Sequence, residues 1–312
     1  MAVAALIHYK PIGRLGEDKS KSTWPMLVDN EKIDFKCEWK LHRAPHFLTS
    51  VTHQGRLPDP MISIHPLYDL PEIAAGDDLA ALLRTSLCSA GLLPLQTGDV
   101  LVVTQKILSK MEGRMVDLAT VVPSPEAIEL AEQTRKDPRL IELVLQESTA
   151  IVRAVPNILI TRHRLGHVMA NSGIDRSNIG PGGTERALLL PIDPDRSARQ
   201  LLEAMSSHSD SRMAVVISDS FGRPWRHGVV GVAIGAAGLP ALVDRRGDQD
   251  RDGRQLEVTQ IALADQIATA AALVTGEGAE SVPAALIRGL NLPEGENGAG
   301  AIVRPVDEDL FQ

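Results

Sequence analysis

The chain has 312 residues, of which 44% are hydrophobic, 23% charged and 3% aromatic, and it carries a formal charge of −8 at neutral pH. This balance describes a globular protein with one or two cores and excludes disordered, fibrous and collagen-like classes. The negative charge offers no footprint for nucleic acid, no apolar run reaches the roughly 18 residues of a membrane span, and no charged-then-apolar leader opens the chain, so a cytoplasmic protein is expected.

In chain order, the first change is one of composition. Lys10, Lys19, Lys21, Lys32, Lys36 and Lys40 crowd the opening segment, whereas only Lys106, Lys110 and Lys136 follow. Two of the three tryptophans, Trp24 and Trp39, also fall there, without a sustained period of 2 or 3.6 to organise them. Residues 1–60 are therefore expected to be an N-terminal extension, either a disordered arm or sequence read from upstream of a true start at Met61. Residues 61–312 are expected to be the working domain. Cys37 and Cys88 sit alone, in neither disulfide nor metal-ligand spacing, so reduced thiols are expected.

From Met61 onward strand-like and helix-like stretches alternate, the pattern of a mixed α/β architecture. The run 62–67 alternates as a strand does. Asp77-Asp78 opens an amphipathic helix over 79–90 that Gly91 closes. Gly98-Asp99 turns into the apolar strand 100–103. Helical spacing covers 123–136 and 140–146 around a break at Pro138, and strands are expected at 150–155, 158–162 and 167–170. A helix entered through Pro194 spans 195–206. Met213 to Ser218 reads as a buried strand ending in a turn, followed by a glycine-rich apolar stretch over 229–239 and a helix from about Val258 to Val274.

The chemistry lies where apolar strands give way to polar turns. Asp175 follows such a strand through Asn171-Ser172-Gly173-Ile174, and Asp219-Ser220 terminates another. Carboxylates beside a hydroxyl and flexible glycines suit Mg2+ or Mn2+, although either aspartate alone is more often a cap or turn residue that hydrogen-bonds its own backbone. Arg223 and Arg226 in Phe221-Gly222-Arg223-Pro224-Trp225-Arg226 bring two guanidinium forks that suit phosphate oxygens, or else pair with acids on a surface turn. Gly231 and Gly235 stand at an interval of four, which fits close backbone packing better than a phosphate cradle, and neither a Walker loop nor GxGxxG is present. Thr104-Gln105-Lys106 and Ser109-Lys110 offer hydroxyl, amide and ammonium donors at a strand end. Gly276-Glu277-Gly278 sets a carboxylate between two glycines at a helix terminus, which is also what a plain C-cap looks like.

Taken in order, these pieces resemble the coenzyme F-420 gamma-glutamyl ligase family. The resemblance rests on Leu70-Pro71 with Gly76-Asp77-Asp78-Leu79, Gly98-Asp99-Val100-Leu101-Val102-Val103, and Ser109-Lys110-Met111-Glu112-Gly113-Arg114. It continues through Asn171-Ser172-Gly173-Ile174-Asp175 with Ser177-Asn178, Leu188-Leu189-Leu190-Pro191 with Asp193-Pro194-Asp195, and Asp219 to Arg226. It closes with Val230 to Gly235 and Ile287-Arg288-Gly289-Leu290. It covers the chain from about Ile62 to the end.

The resemblance implies a mixed α/β fold of the family's own two-subdomain kind, expected as an intertwined homodimer. It implies a GTP-dependent carbon-nitrogen ligase using Mg2+ or Mn2+, two ions in all, with K+ as an aid. Its partners would be the deazaflavin coenzyme precursor, L-glutamate and GTP. By matching position, Asp175, Asp219, Ser220 and Glu277 would ligate the divalent ions. Tyr68, Asp69, Leu70, Pro71, Thr104, Gln105, Lys110, Asn178, Gly276 and Gly278 would hold GTP. Asp69 departs from the glycine that relatives usually carry there. In the implied reaction a precursor carboxylate attacks the GTP gamma-phosphate, and the glutamate amine then displaces phosphate from the acyl phosphate. Such chemistry demands positioning and charge neutralisation, and Arg223 or Arg226 would stabilise the transferring oxygens. The competing readings are a metal-dependent phosphatase or phosphotransferase and a non-catalytic nucleotide-binding protein.

Overall fold

The structure, a computed structural model, describes residues 61–180, 185–207 and 211–309, and the expectations for residues 1–60 lie outside them. The architecture is mixed α/β. Strand β1 (Ser63–Pro66) is followed by helix α1 (Leu79–Ser89), whose N-cap Asp78 accepts a hydrogen bond from the Ala81 amide at 2.9 Å, as the acidic opening predicts. Strand β2 (Val100–Thr104) runs directly into α2 (Gln105–Met111). The sequence did not announce α2, because seven residues complete barely two turns and show no periodicity of their own.

After β3 (Met115–Asp117) come α3 (Pro125–Thr134) and α4 (Pro138–Gln146); Pro138 takes the first turn of α4, where a missing N–H costs nothing. An antiparallel trio follows, β4 (Ser148–Val155), β5 (Ile158–His163) and β6 (Val168–Ala170), and then β7 (Arg186–Leu188), which pairs with β3. Helix α5 (Pro194–Ser206) is capped by Asp193, which accepts from the Arg196 amide at 2.9 Å.

Two expectations are corrected in the last third. Strand β8 (Ala214–Arg223) does not turn at Asp219. It runs on to Arg223 because β9 (Arg226–Ala237) supplies a hydrogen-bonding partner for its polar half, with Asp219 opposite Val232 and Ser220 opposite Gly231. Then β10 (Leu242–Asp244) pairs with β11 (Gln260–Ala262), and α6 (Leu263–Thr275) begins five residues later than the apolar pattern indicated because residues 260–262 are taken up in that pairing. Strand β12 (Ala284–Arg288) completes the set. Among the described residues no helix is long and apolar enough to cross a membrane.

The main sheet has the order β1-β12-β2-β8-β9, antiparallel throughout except for the parallel pair β2 and β8. Strand alternation splits its side chains between two cores. Leu101, Val103, Val215, Ile217 and Leu286 pack with α1 and α5, while Val100, Val102, Ala214, Val216 and Ile287 pack with α6. A third core joins α3 and α4 to Leu118, Leu159, Ile174, Ala187 and Leu189. The glycine pair of β9 is explained by this layering. A Cβ at Gly231 would lie 2.5 Å from the Ala268 carbonyl oxygen of α6, and one at Gly235 would lie 2.4 Å from the Pro194 carbonyl oxygen of α5. A bulge between the Ser218 and Ile217 registers turns the two glycines to opposite faces, so each lets one helix approach. Gly231→Ala is expected to destabilise the protein by about 1–3 kcal/mol through that overpacking, measured by denaturant unfolding.

At the end of α4, Glu147 ties the third core to the end of β5 and to the link between α2 and β3, accepting from Arg114 at 2.8 Å, Arg164 at 3.1 Å and His163 at 3.3 Å. The Leu165 amide donates to Nδ1 of His163, so Nε2 carries the proton it gives to Glu147. Burial alone would raise the Glu147 carboxyl, but the His163 and Arg114 hydrogen bonds and the Arg114 and Arg164 charges outweigh it and hold the pKa down at about 2. A depressed carboxyl stabilises the fold above its unfolded value near 4.5 and loses that contribution as pH falls towards 2. Glu147→Gln should therefore lower stability by about 3 kcal/mol at pH 7, and the gap to the unsubstituted protein should close between about pH 4.5 and 2 in thermal melts.

Candidate active site

The parallel pair β2 and β8 ends on the same side of the sheet, at Thr104 and Ser218. Open α/β sheets bind ligands beyond such carboxyl ends. A cleft of about 510 Å³ lies there, walled by the 70–73 strap, the start of α2, the polar half of β8 and the turn after α6.

Asp219 and Ser220 enter the cleft from β8. Asp175 arrives from the third core through a sharp turn in which Asn171, Ser172 and Gly173 take φ of 49°, 51° and 67°. The buried Ser172 hydroxyl anchors that turn against the hydroxyls of Ser148 and Thr161, at 2.5 and 2.7 Å. Asp175 is then aligned by a two-way backbone exchange with Leu188. Gln105 donates to Asp175 Oδ2 at 2.6 Å, and its orientation is set because the Ser109 hydroxyl donates to its other amide atom at 2.9 Å. Glu277 stands in the turn that Gly276 opens at φ 70°, and the Ser220 hydroxyl donates to its Oε1 at 2.6 Å. The Gly278 amide donates to Glu280 at 2.7 Å, and Asn178 donates to the Gly278 carbonyl at 2.9 Å, closing one rim of the cleft.

The electrostatics are those of acids gathered with too little counter-charge. Burial, and then the charge of Asp175, push Asp219 up to about 7, with Glu277 adding to the rise and the Ser220 amide and Lys106 opposing it. Burial likewise raises Asp175, against the pull of Lys106 and Gln105. Among the described residues no three of the His, Cys, Asp and Glu side chains stand ready-made at metal-ligand spacing. The cleft presents the Asp219 and Glu277 carboxylates and the Ser220 hydroxyl, with Asp175 beside the lining residues Gln105 and Lys106, where its charge raises Asp219. This all-oxygen set has the chemistry of a hard divalent ion, whose charge would relieve the repulsion that lifts Asp219.

Of the residues expected to hold a nucleotide, Leu70, Pro71, Thr104, Gln105, Lys110, Asn178, Gly276 and Gly278 line the cleft. Tyr68, 68% exposed, and Asp69 lie outside it, where the strap approaches. The Lys110 ammonium is largely buried and bound to Glu72 at 2.5 Å. Arg223 and Arg226 are not brought to the cleft. They face each other at the tip of the β8–β9 hairpin beside the exposed Trp225, four or more residues and roughly 13 Å of strand beyond Asp219. Lys106, read in the sequence as an ammonium donor beside Lys110 but absent from the nucleotide set that the resemblance implies, lies 3.7 Å from Asp175 Oδ2. Glu72 and Glu280 also border the cleft, and nothing in one dimension marked them.

Several quoted motifs frame the site without entering it. Asp99 is fully buried against Arg288, 2.7 and 2.9 Å from its guanidinium. Asp195 accepts from the Ala236 and Ala299 amides at 2.8 Å each, and Glu112 binds the Ser197 hydroxyl at 2.5 Å.

Residues 68–289 match the family described as F420-0:Gamma-glutamyl ligase. Relatives named Coenzyme F420:L-glutamate ligase include one from Methanopyrus kandleri, 44% identical over 81% of this chain and 98% of that protein. Another, from Methanothermobacter thermautotrophicus, is 43% identical over 80% and 99%, and a third, from Halobacterium salinarum, is 42% identical over 78% and 92%. With the family's sequence matched across the sheet, the cleft and the turn after α6, this chain belongs to the F420-0:Gamma-glutamyl ligase family.

Proposed function

We propose that the protein ligates L-glutamate to the carboxylate of the deazaflavin coenzyme F-420 precursor, using GTP and releasing GDP and phosphate, as a cytoplasmic homodimer of two-subdomain chains. The observation that carries this reading is one cleft lined by Asp219, Ser220 and Glu277 together with Thr104, Gln105, Lys110 and Asn178, with Asp175 bonded to Gln105 of that lining. Mg2+ or Mn2+, two ions with K+ as the accessory cation, would be held by Asp175, Asp219, Ser220 and Glu277 and would neutralise the charge of the transferring phosphoryl group.

The remaining work falls to the chain itself. Thr104, Gln105 and Lys110 offer hydroxyl, amide and ammonium donors to phosphate oxygens, and Asn178, linked to Gly278, keeps the turn folded over them. Ile73, Ile107 and Val282 give the cleft apolar walls that limit water, the competing nucleophile for an acyl phosphate. In the first step a precursor carboxylate oxygen bonds to the gamma-phosphorus as its bond to the GDP oxygen breaks. In the second, the glutamate nitrogen bonds to the acyl carbon, phosphate leaves, and the amine gives up a proton.

Mass spectrometry of the product from precursor, glutamate, GTP and Mn2+ should show added glutamyl residues together with glutamate-dependent GDP release. Phosphate release that ignores glutamate would replace this reading with a phosphatase or phosphotransferase, and nucleotide binding without turnover would replace it with a binding protein. Asp219→Asn is expected to cut turnover by about 10²–10³-fold. Its melting temperature without divalent ions should stay level or rise, because it removes a carboxylate pressed against two others; a fall would mean that Asp219 serves the fold first.

Arg223 and Arg226 cannot act on this chain's own cleft from the hairpin tip, so their proposed contact with transferring oxygens requires the tip to reach the cleft of a second copy. Mixing the Arg223→Ala, Arg226→Ala double variant with Asp219→Asn should then restore part of the activity that each lacks alone. A double variant with normal turnover at saturating GTP would remove both arginines from the mechanism.

A further inference from the structure

Two lysines line the cleft, and the structure treats them differently. Lys110 is 8% exposed and committed to Glu72 at 2.5 Å. Lys106 is 28% exposed and lies 3.7 Å from Asp175 Oδ2, longer than the roughly 2.7–2.9 Å of a tight charge-assisted hydrogen bond. Gln105 already occupies the same oxygen at 2.6 Å, and the Lys106 ammonium donates to the Ser177 carbonyl at 3.3 Å. Its charge still reaches both Asp175 and Asp219. The ammonium is thus held loosely, on a four-carbon stem, over carboxylates that have chemistry of their own.

We infer that Lys106 changes partners during the reaction: it is the internal counter-ion of Asp175 before a divalent ion is taken up, and a donor to the transferring phosphoryl oxygens afterwards. This rests on the ligase reading above. The two roles follow from one geometry. An ammonium beside Asp175 offsets the charge of that carboxylate, and a divalent ion bound to the same carboxylate would repel it towards the nearest new anion. Lys106 stands at the first turn of α2, immediately after Thr104 and Gln105, so the proposed phosphate donors are its sequence neighbours. A lysine whose only task was to hold the 175–178 turn would be expected closer to Asp175 and better buried, as Lys110 is against Glu72.

The test uses Lys106→Met, which keeps the stem and removes the charge, and Lys106→Arg, which keeps the charge, each first checked for unchanged thermal unfolding. Without any nucleotide or substrate, Lys106→Met should bind Mn2+ about tenfold more tightly than the unsubstituted protein, because a competing charge has left the site. In the complete reaction its kcat should fall about 10²-fold or more with KM for GTP changed little, the mark of an interaction made in the transition state. Lys106→Arg should keep the original Mn2+ affinity and recover part of kcat.

Weaker Mn2+ binding by Lys106→Met would overturn the inference, since Lys106 would then help to build the ion site. So would an unchanged kcat, or a raised KM at constant kcat, which would make Lys106 a ground-state nucleotide ligand. An unsubstituted protein that binds Mn2+ but ligates nothing defeats the ligase reading alone, and the Mn2+ comparison still decides the counter-ion role. An unsubstituted protein that binds no Mn2+ defeats both.

Discussion

The structure turns on one electrostatic imposition: Asp175, Asp219 and Glu277, from three distant stretches of chain, are brought within reach of one another's charge with Lys106 alongside. Left to themselves these acids would separate or protonate, and the rise of Asp219 to about 7 measures how far they are pushed towards the second course. Something must hold each in place against the other two. For Asp219 it is the β8–β9 ladder, which keeps a polar residue in strand conformation well past the point where its sequence reads as a turn. For Asp175 it is the left-handed turn locked by the buried Ser172 hydroxyl and the exchange with Leu188. Glu277 depends on the end of α6, which sits against β9 because Gly231 has no side chain to keep it away.

Much of this was legible because it is local. An aspartate before an apolar helical run, as at Asp78, or a proline before one, as at Pro138 and Pro194, announces a helix start whatever the tertiary setting. The suspicion attached to Asp175 and Asp219 came from the same level, a carboxylate placed where an apolar strand runs out. The illegible parts are those decided by a partner far off in the chain. Whether β8 stops at Ser218 or continues to Arg223 depends on β9, and whether 260–262 is helix or strand depends on β10. Helix α2 is too short to have a period. The arginines looked close to Asp219 because only a few residues separate them, but an extended strand turns few residues into a long distance.

The motifs that carry the family resemblance divide into two kinds that look alike in one dimension. Asp99 and Arg288 form a buried pair beneath the sheet, Asp195 caps backbone amides of β9 and of the 299 turn, and Arg114 reaches Glu147 in the third core. These charged residues are as conspicuous in sequence as Asp175 or Glu277, yet each has its full complement of partners and faces no cleft. Buried charge that is satisfied holds layers together, whereas charge that is buried and crowded by its own sign stores a demand for a ligand. The distinction needs coordinates, because it concerns what each acid touches and not what it is.

The same distinction bears on how the cleft can select among anions. Lys110 is bound by Glu72 of the strap, and Lys106 is drawn by Asp175, so both cleft ammonium groups already have carboxylates. A single phosphate that offered one charge would exchange one partner for another with little gain, since it must displace an existing ion pair and surrender its own water. On the proposed reading, a triphosphate arriving with divalent ions would change the balance on both sides at once: the carboxylates would gain a stronger cation and the lysines a stronger anion. Paired charges that resist weak ligands and yield only to a ligand carrying both signs would let such a cleft discriminate a metal-bound nucleotide from free phosphate on charge alone.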